Sequence, residues 1–91
     1  MITQQQLTNN GFICIGTHNN RTYYYKKYFY IVEHQGQIYK ADSELNSEYE
    51  NPYEDIHDLM NGYDSWLYEV VEKLNKLLNY LTSENEDEDE L

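Results

Sequence analysis

Hydrophobic and polar positions change period partway along the 91 residues, so that a strand-like half is followed by a helix-like half. Residues 12–17 are an apolar run, His18-Asn19-Asn20-Arg21 is a polar turn, 22–33 is a long Tyr-rich run, Gln35-Gly36 is a second turn, and 37–41 closes the stretch. Asn and Gly accept the positive φ that two-residue hairpin turns require. The stretch therefore predicts a three-stranded antiparallel β-meander. Side chains alternate along a strand, which puts Tyr23, Tyr25, Lys27, Phe29 and Ile31 on one face of the middle strand and Tyr24, Lys26, Tyr28, Tyr30 and Val32 on the other. The first set, with Phe29 and Ile31, is the expected core face. The second is an expected Tyr surface with a basic centre.

Ahead of the meander, Thr3 and Gln6 have the spacing of a capping box and Asn10-Gly11 supplies a stop, predicting a short helix over residues 3–9 with an irregular arm as the alternative. After it, residues 42–51 are acidic and without helical period, a connecting loop or extended edge. Asn51-Pro52 has the chemistry of a helix start, with Glu54 and Asp55 near the positive end of the dipole. Tyr53, Ile56, Leu59 and Met60 form the apolar stripe of this helix, and Asn61-Gly62 ends or bends it. Leu67, Val70, Leu74, Leu77 and Leu81 then repeat at 3-4 spacing and predict a second helix, its face widened by Trp66, Val71 and Leu78 enough to cover a sheet. The same seam pairs with a second copy in an alternative reading, but two heptads are short for a free-standing coiled coil, so packing on its own sheet is expected. Glu69 with Lys73 and Glu72 with Lys76 add i,i+4 pairs of about 0.2–0.5 kcal/mol each. The fold class is thus α+β: one domain over residues 1–83, a three-stranded antiparallel meander packed against two C-terminal helices, and a disordered acidic tail over 84–91.

Charge sharpens this division. Of 17 acidic side chains, 16 lie at or after Asp42, while the first 41 residues hold Glu33 against Arg21, Lys26, Lys27 and Lys40, so the halves carry +3 and −14 and sum to −11. Residues 42–83 alone hold ten acids and two Lys, an excess that solubility does not need. Such a field repels nucleic acid and anionic membranes and attracts surfaces built to bind polyanions. If residues 42–50 are extended, Asp42, Glu44, Glu48 and Glu50 fall on one side, about 6.6 Å apart where consecutive. That is about half the phosphate density of one DNA strand, and Glu54, Asp55, Asp58 and Asp64 from the adjoining helices would complete a duplex-like surface.

Other chemistries find no support in the residue pattern. Asp42, Glu44 and Asn46 have the spacing of a calcium loop, but Ser47 stands where Gly is needed and Tyr53 where a bidentate Glu is needed. His18, His34 and His57 have no Cys or His partner at ligand spacing, so no metal and no cofactor are expected. Ser43, Ser47 and Ser65 lack a base and an orienting group, and the four Gly are isolated, so an enzyme is not expected. Lone Cys14, among Phe12, Ile13 and Ile15, is expected to be buried. Tyr24, Tyr28 and Tyr30 around Lys26 and Lys27 would suit base stacking, but the net charge opposes it; protein contact is the better functional reading, and Tyr as an ordinary strand former is the alternative. The N-terminus has neither a basic segment nor an apolar run of signal-peptide length, and no stretch is long enough to span a membrane. A cytoplasmic protein is expected, for which the Asn20-Arg21-Thr22 sequon is only a turn.

The order of a short helix, a meander, an acidic connector over 42–50 and acidic helices over 52–83 resembles small phage-encoded anti-CRISPR proteins that inhibit type II Cas9 by imitating DNA. In that family, acidic side chains near the last strand and the following helices occupy the pocket that reads the PAM. By position the resemblance implicates Asp42, Glu44, Glu48, Glu50, Glu54, Asp55 and Asp58. It implies a non-enzymatic inhibitor in the host cytoplasm, monomer or homodimer. The inhibitor would bind no nucleic acid itself, and its partner would be a basic nucleic-acid-binding host protein: a Cas nuclease, a DNA repair enzyme or a restriction enzyme. Two alternatives share the charge pattern: an immunity or antitoxin protein that neutralises a basic toxin nuclease, and an acidic interaction module without mimicry.

Overall fold

The computed structural model describes the backbone of residues 1–90 and the side chains of residues 1–82. In chain order the elements are α1 (Gln4–Asn9), β1 (Ile13–His18), β2 (Arg21–Lys26), β3 (Phe29–His34), β4 (Gln37–Ala41) and α2 (Ile56–Glu90). The strands form one antiparallel sheet in the order β1-β2-β3-β4. The α+β meander is as expected, but with four strands instead of three and one long helix instead of two. The disordered tail expected over 84–91 lies outside the fully described residues.

The fourth strand arises because the Tyr-rich run folds back on itself. Lys26 pairs with Phe29, which leaves Lys27-Tyr28 as a two-residue turn, and Lys27 takes φ +56° there. Neither residue is a usual turn former. The turn reverses the parity of every position before it. Tyr24 now lies opposite Ile31 and Lys26 opposite Phe29 on one face, while Tyr23 pairs with Val32 and Tyr25 with Tyr30 on the other. Tyr24 is therefore buried in the core instead of displayed, and Tyr23 and Tyr25 exchange places with it. The other two turns behave as expected, Asn19-Asn20 and Gln35-Gly36 both having positive φ at both positions.

The inner face carries the main core. Phe29, Ile31, Ile38 and Tyr24 from the sheet meet Leu59 and Tyr63 from α2, with Ile2, Leu7 and Phe12 of the N-terminal segment completing the cluster. Phe29 is the hub: its ring meets Tyr63 edge-on at 5.5 Å, and Trp66 and Phe12 pack around it at 5.5 and 6.4 Å. Each fully buried large side chain contributes about 1.5–3 kcal/mol. The N-terminal segment is pinned by the predicted capping box, with Thr3 Oγ1 accepting from the Gln6 N–H and Gln6 Oε1 from the Thr3 N–H.

The helical half departs further from expectation. Asn51-Pro52 does not start a helix; Asn51 has φ +55°, and the Tyr53 N–H donates to the Ile38 carbonyl, laying a short bridge along the β4 edge. α2 begins after Asp55, whose carboxylate accepts from the Asp58 N–H at 2.8 Å. Asp58 in turn accepts from the Glu54 N–H at 2.9 Å, so the cap satisfies one donor of the first helical turn and one just before it. Gly62 does not end the helix. It is where the Tyr53 ring crosses α2, and a Cβ there would stand 3.1 Å from Tyr53 Cε1. Nor does the leucine seam cover the sheet. Leu67 and Val70 are half-buried, but Val71, Leu74, Leu77, Leu78 and Leu81 are exposed because α2 runs past the sheet's end.

Cys14, expected to be buried, is exposed. β1 is an edge strand that no element covers, so Ile13 and Ile15 are exposed as well. Its register shifts between Cys14 and Gly16, a bulge at Ile15 that twists this edge and discourages pairing with another strand. No described helix is long and apolar enough to cross a membrane.

Candidate functional site

Residues 42–53 leave the end of β4, cross the outer face of the sheet and return to the β4 edge at Tyr53. Two devices shape this connector. Asp42 Oδ1 accepts from the Glu44 and Asn46 N–H groups, both at 2.9 Å, and the Asp42 carbonyl accepts from the Leu45 N–H at 2.9 Å. These bonds curl the chain tightly enough to hold Leu45 at φ +67°, a conformation that costs a non-glycine residue about 1–2 kcal/mol. Ser47 Oγ then accepts from the Tyr49 N–H, with Tyr49 at φ +57°. The segment is therefore a pair of tight turns. Its carboxylates do not form the straight, evenly spaced row that an extended strand would give.

Tyr49 fastens the connector to the sheet. Its ring packs on Tyr39 at 5.4 Å and on His34 at 5.2 Å, and the Arg21 guanidinium lies 5.1 Å from its centroid. Tyr23 is its neighbour from β2. Burial raises the Tyr23 phenol above its ordinary value of 10.0, with Tyr49 adding to the shift and Arg21 opposing it. Val32, on this outer face and away from α2, is fully buried, and Ala41 is buried beside it. The outer face thus has a small core of its own, closed by the connector. It was legible only through Tyr49, the sole aromatic among the ten polar and acidic residues 42–51.

All eight carboxylates singled out from the sequence are exposed. Asp42, Glu48 and Glu50 line one open groove of about 440 Å³ with Ser47, Asn46 and Lys40. Lys40 does little to neutralise it, since its ammonium lies over the Phe29 ring at 5.5 Å on the inner face. Glu44 lines a separate hollow with Leu45, Ile15, His18 and Tyr23. Glu54, Asp55 and Asp58 cluster at the start of α2, and Asp64 stands about two turns farther along the helix. The eight divide by chemistry. Asp42, Asp55 and Asp58 hold backbone N–H groups and so build the surface. Glu44, Glu48, Glu50, Glu54 and Asp64 display charge on it.

The three expected contact tyrosines separate. Tyr24 is in the core, where burial raises its phenol, helped by Cys14 and Glu33. Tyr28 is 81% exposed in the β2–β3 turn. Tyr30 is half-buried and stacked on Tyr25 with centroids 6.2 Å apart. Tyr53, where the connector ends, is likewise raised, by burial first and by Asp58 second. Among the described residues no group of three or more His, Cys, Asp or Glu is placed to hold a metal ion. Comparison with protein-family models, curated proteins and solved structures finds no match.

Proposed function

We propose that this protein is a non-enzymatic inhibitor that imitates nucleic acid and occupies the binding site of a basic DNA-handling protein, in the manner of the anti-CRISPR inhibitors it resembles. The supporting observation is the anchored connector. Carboxylates on a free loop mainly speed encounter, whereas carboxylates held at fixed positions can meet a fixed set of Arg and Lys side chains. Asp42 curls the segment, Tyr49 pins it, and the Asp55–Asp58 cap joins it to α2, so Glu44, Glu48, Glu50 and Glu54 project from a shaped body. Tyr28 and the half-buried Tyr30, which pairs with Ala41, add aromatic contact area at the end of the sheet where the connector begins.

Competition against labelled duplex DNA tests the reading. A fluorescent duplex is bound in turn to a Cas9–guide complex, a uracil-DNA glycosylase and a restriction enzyme, and the protein is titrated in. Displacement of DNA from one of them is expected, weakening several-fold between about 50 and 200 mM salt as screening shortens. Displacement from none of the three, or displacement indifferent to salt, counts against mimicry.

A further inference from the structure

α2 outruns the sheet it packs on. Leu59, Tyr63 and Trp66 lie against the inner face, and the same 3-4 repeat continues as Val70, Leu74, Leu77 and Leu81, flanked by Val71 and Leu78. Of these, Val71, Leu74, Leu77, Leu78 and Leu81 are 46–60% exposed. An isolated helical extension of this kind gains nothing from carrying a leucine stripe.

We propose that a second copy of this chain covers the stripe, the two α2 helices packing antiparallel to form a homodimer. This goes beyond the mimic reading and does not rest on it. Area is the first support. Five half-exposed aliphatic side chains offer about 500 Å² per chain, so pairing buries at most about 1,000 Å² from them, on the order of the minimum for a specific interface. Exposed Tyr68 and Tyr80 widen the margin. The short seam that disfavours a free coiled coil is offset here, because the helix is already anchored by its first turns and little ordering entropy remains to be lost.

Charge is the second support. Residues 67–82 hold Glu69, Glu72, Lys73 and Lys76 and are neutral, while eight acids lie on residues 42–64 and six on residues 84–90. Two chains of net charge −11 can pair through this window without setting acid against acid, whereas a basic partner is drawn to the acids on either side of it. Charge also sets the direction. A parallel pair would place two six-acid runs side by side. An antiparallel pair separates them and brings each run toward the end of the other copy's sheet from which α2 emerges. There Lys26 lies 4.5 Å over the Tyr63 ring, Lys40 lies over Phe29, and Lys27 occupies the adjoining turn.

Sedimentation velocity on the full chain, from about 1 to 300 µM, tests the dimer. A species of about 22 kDa, twice the 11.0 kDa chain, is expected to grow with concentration. The double variant L74E/L78E changes only exposed side chains; it should keep the far-UV circular dichroism of the dilute wild type and raise the dimer Kd on the order of 100-fold. A wild type still monomeric at the top concentration overturns the proposal, and so does a double variant that dimerises undiminished. For direction, Tyr68→Cys and Thr82→Cys chains are made on a Cys14→Ser background and mixed under oxidation. Disulfides joining position 68 of one chain to position 82 of the other are expected, and a predominance of disulfides between the two Thr82→Cys chains overturns the antiparallel arrangement.

Discussion

The two faces of the sheet are closed by different means. On the inner face, Phe29, Ile31, Ile38 and Tyr24 meet Leu59 and Tyr63 in an apolar interlock around one ring. On the outer face, a strongly acidic segment is held by one tyrosine, two side-chain turns and a capped helix start. The inner closure gives stability. The outer closure uses little apolar area, and keeps its carboxylates in water, yet gives them fixed positions. Fold and display are thereby divided between opposite sides of a single sheet, which is how 91 residues accommodate both.

Substitutions on the two faces should separate these roles. Leu59→Ala opens a cavity at a fully buried position and is expected to cost about 2–5 kcal/mol in chemical denaturation, with the whole molecule unfolding more readily. Tyr49→Ala should cost less, about 1–2 kcal/mol, because it removes a half-buried ring from a small outer cluster. Its signature is local: amide exchange should accelerate over residues 42–53 and stay slow in β3. Equal acceleration in both segments would show that the faces are one cooperative unit.

Alkaline titration is a gentler probe of both faces. Tyr23 on the outer face, Tyr24 on the inner face and Tyr53 at the edge all have phenols raised above 10.0 by burial. In the unfolded chain these groups ionise first, so their contribution to stability is complete below pH 10 and is lost as pH rises through the folded values. Tm should hold between pH 7 and 9 and decline above about pH 10, and Tyr24→Phe should make that decline shallower. The smallest expected effect belongs to Tyr63, whose hydroxyl is buried without a hydrogen-bond partner among the described residues. Tyr63→Phe should leave stability unchanged or raise it by up to about 1 kcal/mol, and a clear loss would reveal a partner for that oxygen.

Much of the inner architecture was legible in the sequence. The Asn19-Asn20 and Gln35-Gly36 turns, the Thr3–Gln6 capping box and the central roles of Phe29, Ile31 and Leu59 follow from local chemistry. The misses have physical causes. Lys27-Tyr28 turns without Gly, Asn or Pro, and an unseen two-residue turn inverts the face of every earlier residue, which moved Tyr24 inward. Gly62 looked like a helix stop because contact with the Tyr53 ring, a tertiary feature, is what calls for it. A leucine stripe has the same period whether it meets a sheet, solvent or a second helix, so the seam beyond Val70 could not be placed. The exposure of the acidic residues followed from their charge, but their division into builders and displayers was not legible, since Asp42, Asp55 and Asp58 act through backbone N–H groups.

Under the proposed mimicry, the position of the carboxylates counts for more than their total charge. Two variants of equal net charge test it: Glu44, Glu48, Glu50 and Glu54 replaced by Gln, and Glu84, Glu86, Glu88 and Glu90 replaced by Gln, each taking the chain from −11 to −7. In competition with labelled duplex for the protein that the wild type displaces it from, the connector variant should lose on the order of 100-fold in potency, and the tail variant no more than a few-fold. Equal losses from the two would contradict a role for position and reduce the surface to its net charge.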